Sequence, residues 1–353
     1  MKVEIHRRRV KKRVPLRISR GVVAESVNIE VRIAADGAVG LGEAVAYGSD
    51  PRQNTPEHLV SAIETIAGDI SGVDPFERQR IHDRLDELNA PPAARAAIDC
   101  ALWDWAGKTT GRPVWQLLGL DRERVPPTSV TIGIMPADEA AERIDTWRDA
   151  LEFDVVKIKV GNDRGLSADR DLVDAVRRAA PEARLTVDAN GAWTVEQSVQ
   201  AADWLVERGV EHLEQPLAPQ RDENLRELCT QLDDRGIDLP IVVDESCRTS
   251  PDVVRLAQLG ADAINIKLMK CGGLTEALRM IGAARSVGAK VMFGCFSHTV
   301  LANTAAAQLS PLAHWIDLDS HLNLVDDPYT GPGIDSGRLW PSTRPGFGVD
   351  APD

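Results

Sequence analysis

The chain has 353 residues, 43% of them apolar, with 41 basic and 54 acidic side chains and a formal charge of −13. That length holds two domains, or one large barrel with a smaller companion, and the apolar share is too high for a disordered chain. The acidic balance argues against a general nucleic-acid partner, because phosphate affinity rests on lysine and arginine.

The first twenty residues run against that total. They carry nine basic residues (Lys2, Arg7, Arg8, Arg9, Lys11, Lys12, Arg13, Arg17 and Arg20) and one acid, Glu4, leaving 32 basic and 53 acidic residues for the rest. A targeting signal, a nucleic-acid arm and a strand with solvated charges are the three readings. A secretory signal needs an apolar stretch after its basic part. Here Val14–Glu25 is interrupted by Pro15, Arg17, Ser19 and Arg20, so the solvated strand is preferred. No run approaches the roughly 18 apolar residues of a membrane span.

Next in the chain, Val27–Ile33 alternates apolar and polar residues, as a half-buried strand does. Gly37, Gly40 and Gly42 mark a turn region leading into Glu43–Ser49. From Pro56 to Leu88 the spacing of Leu59, Ile63 and Ile66 is helical. Pro91-Pro92 stops that run and opens another, Ala93–Ala106, rich in alanine and apolar nearly all round. It predicts a buried helix whose Trp103 and Trp105 belong to the core. Gly111–Gly119 reads as a loop and a boundary.

After about residue 125, β-rich runs alternate with helical stretches: Ser129–Gly133, Val155–Val160, Leu185–Asn190, His212–Gln215, Ile241–Glu245, Ala263–Leu268, Lys290–Gly294 and Trp315–Asp319. Successive markers from Lys157 to Gly294 lie 23–31 residues apart, the length of a strand–helix–strand unit. Eight such runs predict an α/β fold built on a parallel β/α barrel. An open doubly wound sheet is the alternative, but no GxGxxG follows an early strand.

The anomaly is charge inside these runs. Lys157 and Lys159 stand two apart and so face the same side of a strand. The following runs end in Asp188 and Asn190, in Glu214, and in Asp244 and Glu245. The sixth carries Lys267, and the eighth carries Asp317 and Asp319. Taken singly, a strand-end Asp is a helix cap, and paired lysines are an edge device against aggregation. Jointly they place charge on the face where barrel enzymes keep their active sites. Three carboxylates from adjacent strands suit a hard divalent ion such as Mg²⁺. Zinc would call for His or Cys. The histidines His212, His314 and His321 lack ligand spacing, and the five cysteines (Cys100, Cys229, Cys247, Cys271, Cys295) form no CxxC pair. Their scatter fits a reducing cytoplasm. Lysines on either side of such a site suit a two-base racemisation, one removing a proton α to a carboxylate and the other returning it to the opposite face.

The set KIK, DAN, EQP, DES and NIKLMKCGG resembles the muconate-lactonising branch of the enolase superfamily, whose sites pair a lysine base with Mg²⁺. The resemblance implies an α+β capping domain (1–120), a modified (β/α)₇β barrel (121–320), and a C-terminal segment (321–353) returning to the cap. It implies Asp188, Glu214 and Asp244 as Mg²⁺ ligands, and Lys159 and Lys267 as the two bases. Lys157 would hold the substrate carboxylate or enolate, with Asn190 and Glu245 supporting the ligands. The Asp317/Asp319 pair resembles the DxD of dipeptide epimerases of the Ala-Glu type, where acids receive the substrate's α-ammonium. In that comparison Thr131, Cys295 and Ser297 line the substrate pocket, and Arg20 falls where a side-chain carboxylate of the second amino acid is held, unless it is plain surface. The implied activity is epimerisation of the C-terminal residue of a dipeptide, by 1,1-proton transfer through a metal-stabilised enolate. The implied enzyme is a cytoplasmic homo-oligomer with no nucleic-acid or membrane partner. N-succinylamino acid racemase, o-succinylbenzoate synthase and muconate cycloisomerase are the rival activities, and a catalytically silent ligand-binding barrel is the rival outside enzymes.

One stretch departs. Where such enzymes usually read GCMxES, this chain reads GCFSHT, with His298 in place of glutamate. His298 is then either a helix-start residue or a mark of altered specificity. Gly272-Gly273 is either a phosphate loop or a close-packed turn.

Overall fold

A computed structural model describes residues 1–47 and 55–352. Strands β1 (Lys2–Ile18), β2 (Gly21–Ala35) and β3 (Ala38–Val45) form an antiparallel sheet. Helices α1 (Pro56–Ile70), α2 (Arg78–Glu87) and α3 (Pro92–Thr110) follow. The predicted Glu43–Ser49 stretch begins inside β3, whose last three residues are Glu43, Ala44 and Val45, while Gly48 and Ser49 lie outside the described residues.

α3 is the buried helix that its composition predicts, with one unbroken run of buried residues from Ala96 to Gly107. Trp103 and Trp105 are core residues whose indole N–H groups bond Thr275 Oγ1 and the Ala35 carbonyl. Only Gly37 of the three early glycines sits in a turn, with φ +79°. Gly40 and Gly42 lie within β3, where an added Cβ would come within 2.0 Å of the Ala101 carbonyl and 1.9 Å of the Ala97 carbonyl. They are small so that α3 can lie directly on the sheet.

β2 is not half-buried as its alternation suggests. Asn28 and Glu30 on its polar face are buried too. Asn28 Nδ2 donates to Glu43 Oε1 and to the Ser297 carbonyl, and Glu30 is held by Arg8, Arg32 and the Tyr329 hydroxyl. Ser297 of the barrel and Tyr329 of the chain after it supply part of that cover, distant contacts that a period-two pattern cannot register. Gly111–Gly119 is not all loop, since it contains the short helix α4 (Val114–Leu117).

The barrel strands are β4 (Ser129–Ile132), β5 (Val155–Lys159), β6 (Arg184–Asp188), β7 (Val210–Glu214), β8 (Ile241–Val243), β9 (Ala263–Ile266), β10 (Lys290–Phe293) and β11 (Trp315–Ile316). Each pairs in parallel with the next in sequence. A bridge from Thr128 to Ile316 closes the ring. Helices fill each of the seven crossovers: α5 (Ala140–Ala150), α6 (Leu166–Ala179), α7 (Val195–Glu207), α8 (Leu225–Asp234), α9 (Ser250–Gln258), α10 (Leu268–Cys271) with α11 (Leu274–Val287), and α12 (Val300–Ala307). This is the expected (β/α)₇β arrangement, with no α-helix after β11 among the described residues. Among the described residues, no helix is long and apolar enough to cross a membrane.

Candidate active site

The C-terminal ends of β5 to β9 deliver the charges. Asp188 and Glu214 are the last residues of β6 and β7, and Asp244 and Lys267 directly follow β8 and β9. The carboxylates of Asp188, Glu214 and Asp244 are all buried, and each offers an oxygen within 4.8 Å of the others. An all-oxygen, all-carboxylate set of this size fits a hard divalent cation and lacks the nitrogen or sulfur donors that zinc favours.

Four ammonium groups surround the triad. Lys157 Nζ lies 2.7 Å from Glu214, 2.8 Å from Asp317 and 3.4 Å from Asp188. Lys159 Nζ is 2.5 Å from Asp188 Oδ2, and Lys267 Nζ is 2.7 Å from Asp244 Oδ2. Lys270, which the sequence reading passed over, bonds Asp244 Oδ1, its backbone carbonyl and the Asn265 carbonyl. It stands one helical turn after Lys267, the signal that could have found it. Asn265 in turn donates to Glu214 Oε1 at 2.8 Å.

These contacts set the charge states. Burial opposes ionisation of Asp188 and Asp244, but the adjacent lysines hold both well below the usual carboxylate range. Glu214 is pushed up to about 7 by burial and by the charge of Asp188. Burial would lower Lys157, but Asp317, Glu214 and Asp188 together hold it well above the usual lysine value. Lys267 is likewise raised against burial, chiefly by Asp244.

Lys159 and Lys267 reach the triad from β5 and the end of β9, strands four places apart in a ring of eight and so on opposite sides of it. Asn190, in a left-handed conformation at φ 45°, donates its N–H to Asp188 Oδ1 at 2.8 Å and its amide to Asp188 and Glu245.

The acid pair lies beside the triad. Asp317 accepts from Lys157 and from Ser129 Oγ at 2.8 Å, and Asp319 accepts the Thr131 N–H at 2.7 Å. Asp319 is pushed up to about 6 by burial and by Asp317. Burial lifts the neighbouring Cys295 thiol to about 12, reinforced by both acids.

Above these groups a cavity of about 1020 Å³ opens between the barrel mouth and β1–β2. Thr131, Lys159, Lys267, Cys295, Ser297 and Asp319 form part of its barrel side. Arg20 lines it from the other side, with Nη2 2.5 Å from Glu245 Oε1. Its guanidinium is thus already paired with an acid.

Tyr47 and Phe296 stack at 4.6 Å as an apolar wall, with Lys267 Nζ over the Phe296 ring. His298 does not line the cavity. It is buried behind Phe296 just before the α12 cap Thr299, and burial together with Lys267 pushes it down to about 3, so it is neutral. Gly273 is a close-packed turn: the Asp99 carboxylate fills the start of α11, bonding the Thr275 N–H and hydroxyl.

Residues 1–119 match the family model described as mandelate racemase/muconate lactonizing enzyme, N-terminal domain, and residues 139–353 match enolase C-terminal domain-like. The chain is 41% identical over 351 residues to a hydrophobic dipeptide epimerase of Flavobacteria bacterium (strain MS024-2A), covering 99% of this chain and 98% of that one. A second hydrophobic dipeptide epimerase, from Roseobacter litoralis, is 40% identical with the same coverage. Among solved structures, the Enterococcus faecalis V583 dipeptide epimerase complexed with Mg and L-Leu-L-Tyr superposes with a TM-score of 0.87 at 32% identity, covering 99% of this chain and 98% of that one.

Proposed function

Because the chain belongs to the mandelate racemase/muconate lactonizing enzyme family of the enolase superfamily, we propose that it is a Mg²⁺-dependent dipeptide epimerase that inverts the α-carbon of the C-terminal residue. The observation that carries this is the placement of Lys159 and Lys267 on opposite sides of three buried carboxylates.

Asp188, Glu214 and Asp244 would hold the ion. When bound, Mg²⁺ supplies positive charge against the negative charge that builds on the substrate carboxylate as the α-proton leaves. Lys157, kept protonated by its three acids, donates to the same carboxylate and fixes its orientation. Lys267 loses its hold on a proton when Asp244 is engaged elsewhere, which brings it toward the range of a working base. One lysine takes the α-proton from one face, and the other delivers a proton to the opposite face. Asp317 and Asp319 receive the α-ammonium of the first residue, a charged partner that an N-succinylated or aromatic acid lacks.

Arg20 stands where a second-residue carboxylate would be held, yet Glu245 already occupies it. With the Tyr47–Phe296 wall and relatives named for hydrophobic dipeptides, this favours an uncharged second residue. Thr131, Cys295 and Ser297 shape the pocket, and Asn190 and Glu245 steady the ligands. A cap (1–120), a barrel (121–320) and a returning segment (321–353) are the corresponding division of labour. Homo-oligomeric assembly and a cytoplasmic setting complete the proposal, the latter supported by five unpaired cysteines.

The test is a panel of L,L-dipeptides with Mg²⁺ in D₂O, read by mass spectrometry and chiral analysis. Deuterium at the C-terminal α-carbon, appearance of the L,D product, and loss of both on chelation are expected. No exchange in any dipeptide, with dehydration of the o-succinylbenzoate synthase substrate instead, would overturn the proposal.

A further inference from the structure

β1 is the basic strand, yet one of its lysines is not on the surface. Val10, Lys12, Val14, Leu16 and Ile18 form the inward row of the strand, so Lys12 occupies a place that alternation otherwise gives to apolar side chains. Lys12 is only 5% exposed, whereas Lys11 and Arg13 on either side are exposed. Its side chain forms part of the cavity wall.

The backbone there is pinned. Val325 N–H donates to the Lys11 carbonyl at 2.9 Å, Asn323 Nδ2 donates to the Val14 carbonyl at 2.7 Å, and Lys12 itself bridges Leu324. The strand therefore cannot roll to carry the ammonium into solvent.

A buried ammonium needs a charged or hydrogen-bonding partner. Among the described residues, Asp319 and Cys295 act on Lys12 only through space, and burial dominates, lowering it below the usual lysine value. His298, the next group around it, is neutral and brings no counter-charge. The cavity that Lys12 lines, at the end marked by the acid pair, has room for an anion that would supply the counter-charge.

We propose that Lys12 determines specificity for the first residue of the substrate by taking a carboxylate on its side chain, so that dipeptides beginning with Asp or Glu are preferred. This rests on the dipeptide reading, because an α-ammonium held at Asp319 places the first residue's side chain beside Lys12. The resulting pairing is complementary: cation on acid, acid on cation, across one amino acid.

The test compares L-Glu-L-Leu with its uncharged isostere L-Gln-L-Leu, and with N-succinyl-L-leucine, by α-deuterium uptake in D₂O. The wild type is expected to favour Glu over Gln in kcat/KM by on the order of tenfold to a hundredfold, the effect of one charge-assisted hydrogen bond. Lys12→Met should bring that ratio near one, and Lys12→Arg should retain most of it. If Lys12→Met does not fold, Lys12→Gln serves, and the wild-type ratio is decisive by itself. A wild-type ratio near one, or a ratio unchanged in the variant, overturns this inference alone. Exchange in N-succinyl-L-leucine but in neither dipeptide overturns the epimerase reading and this inference with it.

Discussion

The ammonium of Lys157 lies 2.8 Å from Oδ2 of Asp317, joining β5 to the loop after β11 through the barrel interior. Both residues are buried. Asp317→Asn keeps the shape and the bond from Ser129 but removes the charge. Breaking a buried pair is expected to cost about 3 kcal/mol, measured by denaturant unfolding against wild type. A change below about 0.5 kcal/mol would mean that Glu214 and Asp188 satisfy Lys157 without help.

Lys159 and Lys267 approach from opposite sides, so their removal should produce opposite defects. Lys159→Ala and Lys267→Ala should each lower epimerisation by about 10³-fold or more. Each should still wash deuterium into one epimer, the one whose α-proton faces the remaining lysine. NMR of the L,L and L,D substrates in D₂O reads this directly. Both variants exchanging the same epimer would show that the lysines do not divide the two faces.

Glu43 offers a pH signature away from the chemistry. It is fully buried, and burial pushes its carboxyl up to about 7 although Thr299 and Asn28 donate to it. The folded protein therefore keeps a proton that the unfolded chain releases between about pH 4.5 and 7. Stability should fall as pH rises through that window and level off above it, by up to about 3 kcal/mol. Glu43→Gln should lack this component, so that it gains on wild type by a similar amount between pH 4.5 and 8. Parallel unfolding curves for the two proteins across that range would remove Glu43 as the source.

The barrel and its charged rim were legible in the chain because both are local and periodic. Strand–helix units repeat at a steady spacing, and Lys157, Lys159, Asp188, Glu214 and Asp244 mark strand ends within runs of a few residues. Lys267 followed by Lys270 obeys the same kind of rule, at helical spacing. What the tertiary structure decided depends on segments far apart in sequence. It laid β1 across the barrel mouth, which turned Lys12 inward while its neighbours stayed in water, and paired Arg20 with Glu245 across 225 positions. It buried the polar face of β2 against Ser297 of the barrel and Tyr329 of the chain after it, and brought α3 so close to β3 that only glycine fits at positions 40 and 42. A charge pattern tells which residues must find partners. Which partner each finds is set by chain segments whose approach no local periodicity encodes.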